Sequence, residues 1–100
     1  MNREAAQPWL LHAETDLTAA DHELQRAADD VLCGVVCFHC QQAAEKFLKA
    51  FLVALGGNFE RSHNLEYLLE VCVGHDPLFV GLELGDLTEY AVAGRYPGVE

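Results

Sequence analysis

From Val31 to Leu55 the chain carries no proline and repeats its apolar residues at helical spacing. Cys33, Val36, Cys37, Cys40, Ala43, Ala44, Phe47, Leu48, Phe51, Ala54 and Leu55 fall on one broad face when residues are placed 100° apart. A stretch this long and this apolar predicts a buried central helix, which needs neighbours along most of its length. Gly56-Gly57 supplies the left-handed conformation that ends it, and Asp29 or Asp30 is the expected N-cap. The opposite face holds His39, Gln41, Gln42, Glu45, Lys46 and Lys49, interrupted by Val35, Phe38, Leu52 and Val53. The expectation is a sandwiched helix. Its cysteine-and-phenylalanine side packs within the protomer, and its glutamine–lysine side meets a second subunit or a ligand.

An amphipathic helix is expected before it, from about Pro8 to Ala28. Pro8 suits a first turn, and Trp9, Leu10, Ala13, Leu17, Ala20, Leu24, Ala27 and Ala28 share an arc. After a loop over 58–63, Ser62 or Asn64 caps a short helix over about Leu65–Val73, with Leu65, Leu68, Leu69 and Cys72 inward. Gly74 is expected to break it. Asp76-Pro77 then opens an irregular turn through Val80, and a last helix of about eight residues ends at Ala93. Strand-like alternation is absent. The sequence therefore predicts one all-α domain of 1–100 with a core of 8–97, an up-down bundle of two long helices and two or three shorter ones. Two long helices and two stubs close a bundle poorly, so the reading adds both cover from another chain and a further helix beyond Glu100.

Charge narrows the function. Six Lys and Arg face sixteen Asp and Glu, a formal net of -10. Such a balance argues against DNA binding by phosphate neutralisation and against docking on an anionic membrane. No apolar run approaches the ~20 residues that span a bilayer. The N-terminal MNREAAQPW lacks a signal-peptide core, so a cytoplasmic chain is expected. Residues 31–62 alone escape the acidity, with Lys46, Lys49 and Arg61 against Glu45 and Glu60.

Reactive constellations are few. Cys33, Cys37 and Cys40, with Cys72 and His75 nearby in the third helix, have ligand chemistry for zinc. They fall inside the apolar stripe, however, and lack the paired short spacing of structural zinc sites, so no metal and no cofactor is expected. His39 and Cys40 point about 100° apart on a helix and cannot act as a nucleophile–base pair. Glu45 and Lys49 stand four apart, the spacing of a plain helix salt bridge. Arg61-Ser62-His63, at the mouth of a helix, combines a guanidinium, an imidazole and free N–H groups, a set suited to phosphate. Arg95-Tyr96-Pro97 pairs a base with a stacking ring.

The run Cys37-Phe38-His39-Cys40-Gln41-Gln42-Ala43-Ala44-Glu45-Lys46-Phe47-Leu48-Lys49-Ala50 resembles the signature helix of HEPN domains, the higher eukaryote and prokaryote nucleotide-binding domains. Arg61-Ser62-His63-Asn64-Leu65 looks like that family's "Thr-His-Asp-Leu" opening of the next helix. Tyr90 and Arg95-Tyr96-Pro97 look like its tyrosine and "Arg-Tyr-Pro" element. The resemblance implies an all-α bundle that commonly forms homodimers. In prokaryotes many members are encoded beside a minimal nucleotidyltransferase and are read as nucleotide-binding or toxin–antitoxin components. The family also places a long helix after the Arg-Tyr-Pro element, where this chain has three residues.

Many HEPN proteins are metal-independent ribonucleases that use an arginine followed four to six residues later by histidine. Arg3, Arg26 and Arg61 have no histidine at that spacing, and from Arg95 the chain reaches Glu100 first. The sequence therefore favours a non-catalytic dimeric module that binds a nucleotide or a nucleotidyltransferase partner. The candidate face is His39, Gln42, Lys46, Lys49, Arg61, His63, Arg95 and Tyr96. Two alternatives are a ribonuclease toxin, with RNA cut by residues such as Arg95 and His63 brought together across the dimer, and a purely structural interaction domain.

Overall fold

A computed structural model describes residues 1–57, 59, 62–82 and 84. Three α-helices form: α1 over Arg3–Leu24, α2 over Cys33–Leu55 and α3 over Leu65–His75. Two short 3-10 turns, Ala28–Asp30 and Pro77–Gly81, complete the order, and no strand occurs among the described residues. The protein is an all-α helical bundle, and α2 lies between α1 and α3.

Asn2 caps α1, its side chain accepting from the Ala5 N–H, so the helix starts well before Pro8. Pro8 therefore sits inside the helix rather than in its first turn, and Glu4 has no N–H four residues on to accept. Both residues are exposed, which leaves that carbonyl to solvent. The start of α2 also differs from expectation. Asp29 and Asp30 belong to the 3-10 turn, and Leu32 occupies the N-cap without a side-chain bond. The end of α2 agrees: Gly56 has φ 71°, the left-handed conformation that a Cβ would strain. Asn64 caps α3 through the Tyr67 N–H, and the helix runs past Gly74 to His75. Asp76 accepts from Leu78 N–H and opens the Pro77–Gly81 turn, as its sequence predicts. The expected helix before Ala93 lies outside the described residues.

The two sides of α2 are packed differently. Against α3, Leu48 and Leu52 close on Leu65, Leu68 and Cys72, ringed by Phe51, Phe59, Leu69 and Phe79. Each fully buried leucine there contributes about 1.5–3 kcal/mol relative to exposure. Cys72 Sγ donates to the Leu48 carbonyl at 3.7 Å, and burial pushes its thiol up to about 11. Against α1, the buried apolar residues are alanines: Ala6, Ala13 and Ala20 on α1, Ala43 and Ala50 on α2. Small side chains let the two long helices approach, and polar residues occupy the space that remains.

This arrangement corrects the expected orientation of α2. Gln41, Gln42, Glu45 and Lys49 are buried; of the face expected inward, Ala43 and Leu48 are buried, Cys33, Phe47 and Leu55 are exposed, and Cys37, Cys40 and Phe51 are half-buried. The glutamine–lysine side meets α1 and the loop before α3 of the same chain. The physical reason is pairing: each charge on that side has an opposite charge or a hydrogen-bond partner within reach, which removes most of the burial penalty. Leu17 and Leu24 of α1, expected inward, are exposed, and Ala27 and Ala28 lie beyond the helix end.

Candidate functional site

Two carboxylates organise the polar residues around α2. Asp16, buried on α1, sits in the alanine stripe between Ala13 and Ala20. Its Oδ2 accepts from Lys46 Nζ at 2.6 Å, and its Oδ1 lies 2.9 Å from His39 Nδ1. These bonds tie α1 to α2 across chain separations of 30 and 23 residues. The Phe38 ring stands edge-on to His39, centroids 5.5 Å apart.

Glu45 organises the second set. Its Oε2 accepts from Lys49 Nζ at 3.0 Å, and its Oε1 from Gln41 Nε2 at 3.2 Å. Both oxygens lie close to His63 Nδ1, at 2.9 and 3.1 Å. Gln41 also donates to the His63 carbonyl at 3.3 Å, and Gln42 Nε2 donates to Gln41 Oε1 at 2.6 Å. The loop before α3 is thus fastened to α2 through both the ring and the backbone of His63. Lys49 completes the group on the far side, its ammonium 5.6 Å from the centroid of the Trp9 ring on α1.

The Glu45–Lys49 pair is therefore no plain surface salt bridge. Its side chains are 4% and 9% exposed, and the carboxylate serves three donors. Burial alone would push the Glu45 carboxyl up. Hydrogen bonds from Lys49, His63 and Gln41, with the charge of Lys49, outweigh that and hold it below the ordinary value of 4.5. Glu45 is ionised at neutral pH.

Above this group opens a cavity of about 470 Å³ lined by Trp9, Lys49, Phe59, Ser62 and His63. Two aromatic rings, a hydroxyl, an ammonium and an imidazole form its wall, and the His63 side chain is 61% exposed. Glu45 fastens Lys49 and His63 of that wall from beneath. The volume falls within the ~300–1,000 Å³ typical of small-molecule sites.

Of the eight candidate residues named from sequence, the structure divides five between the two sets. Gln42, Lys49 and His63 belong to the Glu45 group; His39 and Lys46 are bound to Asp16 instead. Arg61, Arg95 and Tyr96 lie outside the described residues. Sequence reasoning missed Asp16, Trp9 and Phe59 as parts of either set. Asp16 left a signal, since it stands three residues after Ala13 and four before Ala20, on the alanine face. Among the described residues no group of three or more His, Cys, Asp or Glu side chains is placed to hold a metal ion. Cys72 is buried against α2, and Cys33 is exposed.

A family model, the HEPN domain, matches residues 6–100. The match takes in all of α2 and the loop that delivers His63, the stretches that carry the resemblance in sequence. The chain belongs to the HEPN domain family. No curated protein and no solved structure matches it. Among the described residues no helix is long and apolar enough to cross a membrane.

Proposed function

We propose that this chain is a cytoplasmic, non-catalytic HEPN module that binds a nucleotide in the cavity between Trp9, Phe59 and His63. The observation that carries the reading is the composition of that wall. Aromatic faces at Trp9 and Phe59 offer stacking to a planar base, and His63 and Ser62 offer donors to phosphate. Two or three such charge-assisted bonds, each about 1.5–3 kcal/mol net, give micromolar affinity. The exposed Leu11, Leu17 and Leu24 of α1 support a further element of the reading, a dimer or a docked nucleotidyltransferase subunit over that helix.

Trp9 is the only tryptophan in the chain and lines the cavity, so its emission reports directly on occupancy. Titration with adenosine 5′-monophosphate or ATP should change Trp9 fluorescence with a micromolar midpoint, and calorimetry should give the same constant. No change in emission and no heat at millimolar nucleotide would remove the proposal. A ribonuclease reading pairs His63 with Arg95 of a second copy, and Arg95 lies outside the described residues.

A further inference from the structure

Phe47 of α2 stays 37% exposed, and it stands between two apolar clefts. One, of about 320 Å³, lies toward α1, with Leu10, Ala50 and Phe51 in its wall beside Arg3 and Gln7. The other, of about 230 Å³, lies toward the Pro77–Gly81 turn and includes Phe79 and Leu82. The Phe51 and Phe79 rings, centroids 4.7 Å apart, join the two. The clefts belong to a longer seam. On α1, Leu10, Leu17 and Leu24 recur every seven residues, and on α2 Cys33, Cys40, Phe47 and Ala54 do the same. All of them are exposed or half-buried, so both rows remain open to a neighbour. Leu10 and Phe47 share a cleft, which sets the rows side by side along about 30 Å of helix. Seven-residue spacing is the repeat of a coiled-coil seam, so the shape left open is that of an added helix laid along α1 and α2.

Charge says which helix fits. Glu14 and Asp21, also seven apart, are exposed on the arc adjoining the leucine row of α1. On the far side, Glu66 and Glu70 of α3 line the next hollow beyond Phe79. Glu60, Glu83, Asp86, Glu89 and Glu100, against Arg61 and Arg95, lie outside the described residues and add to the acidity of the chain. A second copy has little base to set against these borders. Lys46, Lys49 and Arg26 are each bound to a carboxylate of their own chain, and Arg3 sits at one end of the seam.

We propose that the α1–α2 seam receives a basic amphipathic helix of a different protein, its apolar stripe on the leucine and cysteine–phenylalanine rows and its lysines or arginines on Glu14 and Asp21. The seam shares no lining residue with the nucleotide cavity, so the two proposals stand apart. Of the two covers named above for α1, the charges select a different chain over a second copy.

The test is fluorescence anisotropy of two dye-labelled synthetic peptides titrated with the whole chain. Both have three heptads with leucine at a and d; one carries lysine at e and g, the other glutamate. The lysine peptide should bind in the micromolar range and the glutamate peptide roughly tenfold more weakly. Glu14→Lys/Asp21→Lys should weaken the lysine peptide about tenfold and strengthen the glutamate peptide. Glu4→Lys/Asp29→Lys, the same charge change at exposed positions outside the seam, should leave both within about twofold. No binding of the lysine peptide at roughly 100 µM overturns the proposal. So does equal weakening by the two double variants, which marks attraction to net charge alone. Sedimentation of the chain by itself tests the other cover: a dimer broken by Leu17→Gln/Leu24→Gln gives the seam to a second copy and overturns the proposal. The Trp9 response to nucleotide is a separate reading, so either proposal can fail alone.

Discussion

The two carboxylate groups are built from the same parts and set to different work. Asp16 and Glu45 each bind one lysine and one histidine through Nδ1. Asp16 joins residues of two long helices, and its lysine and histidine are 23% and 28% exposed. Glu45 binds a lysine of its own helix and a histidine of a loop, with the lysine buried and the histidine open to a cavity. What differs is which member faces water. Around Asp16 both the lysine and the histidine keep some contact with solvent, so the group acts as a staple between helices. Around Glu45 the burial is concentrated in the ion pair, and the histidine is left available. A shared composition thus yields a structural bond in one place and a candidate site in the other.

The comparison can be broken by mutation. Glu45→Ala should have the largest effect, because it strands Lys49 in a buried position and frees the His63 loop. A loss of about 3–5 kcal/mol in urea unfolding is expected. Asp16→Ala should cost less, about 1–2 kcal/mol, since Lys46 and His39 can turn to water. Equal losses would mean that exposure does not separate the two groups. Nucleotide binding sharpens the contrast further: Asp16→Ala should leave it nearly intact in protein that remains folded. The smallest effect is that of acid. The Glu45 carboxyl is held below 4.5 in the folded chain, so the stability it contributes is present above the unfolded value and lost as pH falls through the folded one. Acid unfolding of wild type should therefore show a component in that range which Glu45→Gln lacks.

The helices were legible in the sequence because length, period and punctuation all acted locally. Gly56, Asn64 and Asp76-Pro77 mark boundaries through their own backbone or side-chain chemistry, and the structure places boundaries there. The facing of α2 was not legible. Periodicity assigns the apolar arc to the interior, but it does not register that Glu45 has three donors or that Lys46 reaches Asp16 thirty residues earlier. Paired charges become buriable only once their partners are known, and those partners lie on other elements. The same limit explains the site. His63, Lys49 and Gln42 stood out as donors in the sequence, whereas Trp9 read as ordinary core and reaches the cavity only through the α1–α2 packing. His39 and Lys46 stood out as donors too, and the carboxylate that binds both, Asp16, sits on a different helix.

The seclusion of Cys72 has a consequence for how this chain would meet a thiol-seeking reagent. Its sulfur is fully buried, donates to a carbonyl and holds its proton up to about pH 11, while Cys33 at the mouth of α2 is exposed. Alkylation needs both access and the thiolate, so Cys33 is open to capture in the native state and Cys72 only when α3 lifts away from α2. The molecule in effect contains a clock and its reference: the lag of the hidden sulfur behind the open one measures how often the bundle comes apart.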